Sequence, residues 1–337
     1  MAKHTIVCIP GDGIGPEVMT ATRRVLEAAG LSVDWVEVPA GATALDQGCE
    51  NVLPERTVAA IKAHKVALKG PVTTPVGKGF KSVNVQLRQK LNLYAAVRPV
   101  RTMPGVKTRY EGVDLVIVRE NTEGLYSGIE NEVVPGVVTS LKVASEAACT
   151  RIARYAFRYA TRRHRQKITV FHKANIMKLS DGLFLKCARQ IHDEEYPNIE
   201  YDELIIDNGC MKMVQDPTKF DVLLMENLYG DLMSDLCAGL VGGLGVVPGS
   251  NIGDDSAVFE AVHGSAPIIA GKGIANPLAL IMSGVMMLNH IHEEPMAKKI
   301  KTAYDAVLSE GKTLTPDLNG TAGTSEFADA IIAKLKA

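Results

Sequence analysis

The chain has 337 residues, 46% of them hydrophobic and 22% charged, with a formal net charge of −1. That length suggests two domains or one large one, and the charge balance gives no global electrostatic basis for binding nucleic acid or a membrane surface. No apolar run reaches the about 18 residues of a membrane span, and the N-terminus lacks the apolar core of a signal peptide. The six cysteines (Cys8, Cys49, Cys149, Cys187, Cys210, Cys237) show no C-x-x-C spacing. They read as small buried hydrophobes in a reducing compartment, so the expected address is cytoplasmic.

Thr5 to Pro10 is a first predicted strand, and a helix begins near Pro16, with Glu17 in its first turn. Between them, Gly11-Asp-Gly-Ile-Gly15 has G-x-G-x-G spacing. That is not the dinucleotide fingerprint; it fits either a tight turn or a phosphate loop. Ser32 to Val38 alternates as a strand, Leu53 to His64 has helical spacing, and Val66 to Lys69 is a strand that runs into the turn Gly70–Pro75. Strands alternating with helices across short turns predict an α/β sandwich with a largely parallel sheet.

A polar cluster follows. Ser82, Asn84 and Arg88 are spaced to lie along one helix face. Arg98 follows the strand-like run Leu93–Val97, and Arg119 ends the run Leu115–Val118. Guanidinium forks beside hydroxyl and amide groups suit a ligand with several carboxylates; taken one at a time, each arginine also fits a solvated surface. Gly128 to Leu141 reads as a hairpin around Pro135-Gly136. Ser145 to Arg163 is a helix whose basic end is favoured by the helix dipole. Lys167 to Phe171 is a strand leading to His172-Lys173-Ala-Asn175, where Lys173 is either a buried base or a salt-bridge partner.

Phe220 to Met225 has strand length, with a break expected at Tyr229-Gly230 before a helical segment. Asp231 and Asp235 then sit at i and i+4, sharing one helix face. Two like charges there are mutually unfavourable, and a hard divalent cation reverses the sign, because Mg²⁺ and Mn²⁺ prefer carboxylate oxygens. A solvated acidic face is the alternative. The position just past an apolar strand, where open α/β sheets place ligands, favours the cation. Glu260-Ala-Val-His263-Gly-Ser265-Ala-Pro267 is expected to be a third loop, Asn276-Pro277 opens the apolar helix Leu278–His290, and His290-x-His292 cannot put both rings on one helix face.

These motifs together carry a resemblance. Gly11–Glu17, Arg119-Glu-Asn-Thr-Glu-Gly-Leu-Tyr126, His172-Lys-Ala-Asn175, Asn227–Asp235, Gly242-Gly-Leu-Gly245 and His263-Gly-Ser-Ala-Pro267 are similar, nearly end to end, to the β-decarboxylating dehydrogenases. That family includes the isocitrate, isopropylmalate, homoisocitrate and tartrate enzymes. The resemblance implies an isopropylmalate dehydrogenase-like three-layer α/β sandwich rather than a Rossmann fold. It implies a discontinuous large domain (1–98 and 246–337), a small domain (99–245) and a clasp near 124–145 joining two subunits of a homodimer.

It also implies roles. Asp231 and Asp235 look like metal ligands for Mg²⁺ or Mn²⁺, with Asp207 resembling a third ligand given across the dimer. Lys173 resembles the partner-donated proton-transfer lysine, and Tyr126 the acid that reprotonates carbon after decarboxylation. Ser82, Asn84, Arg88, Arg98, Arg119 and Asn175 look like substrate contacts. The Ser82-x-Asn84 pattern is similar to that of isocitrate enzymes, where isopropylmalate enzymes carry apolar residues. Cofactor contacts are implied at Ile9, Thr74, Glu260, His263, Gly264, Ser265, Ala266, Ile268, Ile269, Asn276 and Asp317. The positions at which NADP-using members resemble one another are here Ile268, Ile269, Pro316 and Gly320, none able to pair with a 2′-phosphate, so NAD is expected. Ile268 departs from the family's NAD pattern, which has Asp there. The alternatives are homoisocitrate or tartrate turnover, and a non-catalytic regulatory subunit.

Overall fold

The computed structural model describes residues 4–74 and 81–336, so Pro75, the end of the expected Gly70–Pro75 turn, lies outside the described residues. The chain divides into two compact units. One holds the chain up to Asn92, Thr102–Arg109 and everything from Val241 onward; the other holds Leu93–Arg101 and Tyr110–Leu240.

In chain order, the first unit begins with β1 (His4–Ile9), α1 (Gly15–Ala28), β2 (Val33–Glu37), α2 (Ala42–Asp46), α3 (Glu55–His64), β3 (Val66–Lys69) and α4 (Val83–Lys90). The second unit comprises β4 (Ala95–Arg101), β5 (Asp114–Glu120), β6 (Gly124–Val134), β7 (Val137–Val143), α5 (Glu146–Arg162), β8 (Lys167–His172), α6 (Ser180–Glu195), β9 (Glu200–Ile205), α7 (Ile206–Gln215), β10 (Val222–Met225) and α8 (Asn227–Leu240). The first unit is completed by β11 (Pro248–Ile252), β12 (Ala257–Ala261), α9 (Leu278–His290), α10 (Glu294–Glu310) and α11 (Thr324–Lys336).

The two units repeat one arrangement. In the first, the strand order is β2-β1-β3-β12-β11, parallel except where β11 runs against β12. In the second the order is β4-β5-β10-β8-β9, parallel except where β4 runs against β5. Strands β3 and β10 are buried along their whole length. Continuous Val/Leu runs are what parallel strands covered on both faces require. Helix α9 is apolar nearly all round and buried from Leu278 to Val285, as a central helix should be. Helix α1 instead buries one stripe, Val18, Met19, Thr22, Val25 and Leu26, and carries Pro16 in its first turn.

Several local expectations change. Arg98 and Arg119 lie inside β4 and β5 rather than after shorter strands, because the two strands pair residue for residue from Ala95↔Glu120 to Arg101↔Asp114. A domain boundary at 98/99 would cut β4, which the second unit holds entire. The first unit resumes at Val241, a few residues before the expected 246. Tyr229-Gly230 is not a break: α8 runs straight through it. Helices α2, α6, α7 and α10 and strand β9 have weaker signals; β9, for example, is only partly buried. The hairpin turns where expected, at Pro135-Gly136, between β6 and β7.

Candidate active site

The second unit builds its site at the end of β10. Glu226 accepts the backbone N–H groups of Leu228 and Tyr229 at 3.2 and 3.1 Å, satisfying donors that a helix start leaves open. Asn227 is buried, and its side-chain oxygen accepts Arg119 Nε at 3.0 Å and Nη2 at 2.6 Å. The third arm of the same guanidinium pairs with Asp231. Arg119 also lies 5.1 Å from the centre of the Tyr126 ring, whose hydroxyl donates to the other Asp231 oxygen. Gly230 makes this approach possible: a Cβ there would lie 2.4 Å from the Arg119 side chain.

Asp235 stands one turn beyond Asp231. Burial and then the Asp231 charge push its carboxyl above the ordinary range, against the pull of Arg119 and Arg98. Two carboxylates one helix turn apart, one of them held above its ordinary range by burial and by the other, are chemically suited to a divalent cation. Among the described residues no group of three His, Cys, Asp or Glu side chains is placed to hold a metal.

Asp207 lies elsewhere in the unit. It occupies the first turn of α7 and pairs with Lys173 Nζ at 2.7 Å. The Lys173 hydrogen bond holds its carboxyl below the usual range. Lys173 and Asn175 come from the irregular segment after β8. Large apolar side chains are exposed on these same segments and on α8: Ile176, Leu179, Met211, Val214 and Leu232. On the hairpin, Ile129, Val133, Val134, Val137, Val138 and Leu141 are exposed as well.

In the first unit, Ser82 is the N-cap of α4, accepting from Val85 N–H at 3.4 Å, and is not one of its face residues. Arg88 is buried, and Asn84 Oδ1 is buried with no hydrogen-bond partner among the described residues. A buried amide oxygen without a partner is costly.

The remaining sequence-predicted residues of this unit are spread over one loop system with very different surroundings. The Ile9 side chain is fully buried at the end of β1. Glu260 is buried on β12, ion-paired to Lys69 at 2.6 Å, and accepts Asn251 Nδ2 at 2.6 Å. Thr74 accepts the Val83 N–H at 3.1 Å. His263 is kept neutral mainly by burial, and its Nε2 is buried without a partner among the described residues. Gly264, Ala266 and Ile268 are exposed, Ser265 and Ile269 half-buried, and Ala266 has a left-handed φ of 39°. Asn276 donates to exposed Asp317 at 2.9 Å, and its own oxygen accepts the Leu278 N–H at 2.9 Å, opening α9.

One organising residue escapes a reading by motif. Asp12 accepts the N–H groups of Ala42, Thr43 and Thr73 at 3.0, 2.7 and 2.6 Å, and the Thr43 hydroxyl at 2.6 Å. Thr73 in turn bonds Ser265 at 2.6 Å, and Ile14 N–H donates to Ser265 O at 2.9 Å. A Cβ on Gly11 would strike Pro71 O, and one on Gly13 would strike Ser265 O, each at 2.0 Å. The glycine-rich turn is therefore a strut against the 263–265 loop, and its signal was an acid set between two glycines.

The isocitrate/isopropylmalate dehydrogenase family model matches residues 5–331. The chain is 52% identical over 97% of its length, and 87% of the relative's, to isocitrate dehydrogenase [NAD] catalytic subunit 5, mitochondrial, of Arabidopsis thaliana. It is 50% identical over 98% of its length, and 91% of the relative's, to a mitochondrial regulatory subunit of NAD isocitrate dehydrogenase from Dictyostelium discoideum. Among solved structures, isocitrate dehydrogenase from Methylococcus capsulatus superposes with a TM-score of 0.95 and 50% identity, covering 99% of this chain and all of that one. The expected cytoplasmic address is thereby corrected. Relatives this similar carry mitochondrial names, and the scattered cysteines behind that expectation say little about which reducing compartment holds a protein. The fold, the motifs and the matched length together place the chain in the isocitrate/isopropylmalate dehydrogenase family.

Proposed function

We propose that the protein catalyses the metal-dependent oxidative decarboxylation of isocitrate to 2-oxoglutarate and CO₂, with reduction of NAD. The observation that carries this reading is the Asp231–Asp235 pair framed by Arg119 and Tyr126, in a chain similar to NAD isocitrate dehydrogenases. When bound, Mg²⁺ or Mn²⁺ supplies Lewis-acid stabilisation of developing negative charge and NAD accepts the hydride, chemistry that side chains do not provide.

The chain's own groups do the rest. Arg88, Arg98 and Arg119 bind substrate carboxylates, Ser82 and Asn84 select for the extra carboxylate of isocitrate, and Asn175 adds a polar contact. Tyr126, aimed by Asp231, is placed to deliver a proton, and Lys173 to assist proton transfer. The acidic pair and the exposed Lys173–Asp207 pair support a homodimer with shared sites, each Asp207 completing the ligand set of a second copy. The exposed apolar hairpin supports the same assembly, because a two-stranded hairpin alone is at best marginally stable in water. Residues 124–145 would be the clasp.

For the cofactor, Ser265, the neighbouring 263–269 residues, Asn276 and Asp317 form the candidate loop system, with Ile9, Thr74 and Glu260 supporting it from beneath. Nothing cationic stands at Ile268, Ile269 or Pro316, and a side chain at Gly320 would meet Leu314 O at 1.9 Å from its Cβ. Both facts favour NAD over NADP.

A second reading, in which the chain is regulatory rather than catalytic, is favoured by the likeness to the Dictyostelium regulatory protein. Turnover separates the readings: nicotinamide reduction is measured with isocitrate, homoisocitrate, tartrate and isopropylmalate, with NAD or NADP, with and without Mn²⁺. Metal-dependent NADH formation from isocitrate alone is expected. No turnover of any acid would replace this reading with the regulatory one.

A further inference from the structure

Below the acidic face of α8 lies a buried ionic cluster that the proposed chemistry does not use. Lys142, near the end of β7, places Nζ 2.5 Å from Asp181 Oδ1, 3.8 Å from Glu226 Oε1 and 4.8 Å from the centre of the Tyr229 ring. The three charged side chains are only 13%, 3% and 11% exposed. Each carboxylate has a second task. Asp181 Oδ2 accepts the backbone N–H of Lys173 at 2.6 Å, and Glu226 receives the first N–H groups of α8 at 3.2 and 3.1 Å. One ammonium group thus touches the anchor of the Lys173 segment and the anchor of the Asp231 helix, and it is carried by the exposed hairpin.

We propose that Lys142 is a positioning residue, coupling the β6–β7 hairpin to the two segments that carry Lys173 and Asp231. The argument rests on the functional reading above for which residues those segments serve. Its physics is charge compensation. Two carboxylates buried against one cation stay in place only while the cation remains, since a buried charge without its partner is strongly unfavourable. Without Lys142, Asp181 turns toward solvent and releases the Lys173 N–H. The Lys173 segment is irregular: Lys173 O accepts the Ile176 and Met177 N–H groups at 2.9 Å, and Asp181 is what holds the Lys173 N–H. In the proposed dimer Lys173 serves the partner's site and Asp231 its own, so one buried cation aligns a component of each.

The test uses Lys142→Met, Lys142→Gln and Lys142→Arg in the full chain, assayed for isocitrate turnover and for amide hydrogen exchange. Misplacement by about 1 Å can cost on the order of 10²-fold in rate. Lys142→Met should therefore lower kcat about 10- to 100-fold with the KM for NAD little changed. Exchange should quicken over residues 172–179 and at the start of α8, and not in β10. Lys142→Arg should recover most of the rate, and Lys142→Gln stands in should the Met variant fail to fold. Unchanged kcat, unchanged exchange over 172–179, or an equal loss in the Met and Arg variants would each overturn the proposal. Should the unaltered protein turn over none of the acids, the functional reading fails by itself, while the exchange data still decide whether Lys142 anchors the two segments.

Discussion

The Lys69–Glu260 pair of the first unit and the Asp231–Asp235 pair of the second handle charge in opposite ways. In the first, Lys69 and Glu260 are almost wholly inaccessible, paired at 2.6 Å, and tied further to Gly70 O at 3.0 Å and Asn251 at 2.6 Å. In the second, Asp231 and Asp235 lie one turn apart, and Asp235 is pushed toward its protonated form by burial and by its neighbour. The first arrangement is closed: its charges satisfy one another. The second is open, with acidic charge in excess of what Arg119 offsets. A closed buried pair holds strands together, and an open one is left ready for a ligand.

The largest expected effect breaks the closed pair. Lys69→Met strands Glu260 in the core and should lower stability by about 3–5 kcal/mol, read as a lower denaturation midpoint. Adding Glu260→Gln should recover more than half of that loss, because the two positions are directly coupled.

Breaking the open pair should spare the fold and remove the activity. Asp231→Asn is expected to lower kcat/KM for isocitrate by about 10²–10³-fold, the scale of losing one preorganised electrostatic contact, with the protein still cooperatively folded, although buried Arg119 loses its ion-pair partner. A kcat/KM within a few-fold of the parent would mean the acidic face is only solvated surface.

A smaller change tests the cofactor loop. Ile268 is 84% exposed, and Ile268→Asp should lower the KM for NAD about tenfold, roughly 1.4 kcal/mol, by adding a charge-assisted hydrogen bond to the cofactor's hydroxyls. An unchanged KM would show that this side chain does not face the cofactor.

Acidification probes the C-terminal end of α9. His290 packs 5.4 Å from Phe259, and burial, then His292, depress its proton affinity below the ordinary 6.5. The unfolded ring binds a proton near pH 6.5 while the folded one resists. Its contribution to stability is therefore full above about pH 6.5 and lost as pH falls through the lower folded value. His290→Asn should flatten that part of the melting-temperature profile. Last, Arg154→Ala removes an exposed pair to Glu195 with contacts at 3.0 and 2.7 Å and should cost no more than about 1 kcal/mol.

Much of the molecule was legible without coordinates, and the failures have identifiable causes. The apolar runs gave β1, β3, β8 and β10, because a strand covered on both faces must be apolar throughout. The Pro135-Gly136 turn, the start of α1 near Pro16 and the extent of α5 are local chemistry and fell where expected. Helices α6, α7 and α10 and the half-exposed β9 were not foreseen, since their apolar positions are mixed with charge. Gly230 misled: it reads as a helix break, yet it is glycine because Arg119 lies across α8 at that point.

What the sequence determined by itself was the fully apolar strands, the strongly patterned helices, the glycine-rich turn and the acidic pair at i and i+4, each set by short-range pattern. Only the tertiary structure decided that Arg119 is shared between Asn227 and Asp231, that Asp207 pairs with Lys173, and that Lys142 meets both Asp181 and Glu226. Those contacts join residues tens of positions apart, and short-range periodicity carries no information about which distant charges will meet once the chain has folded.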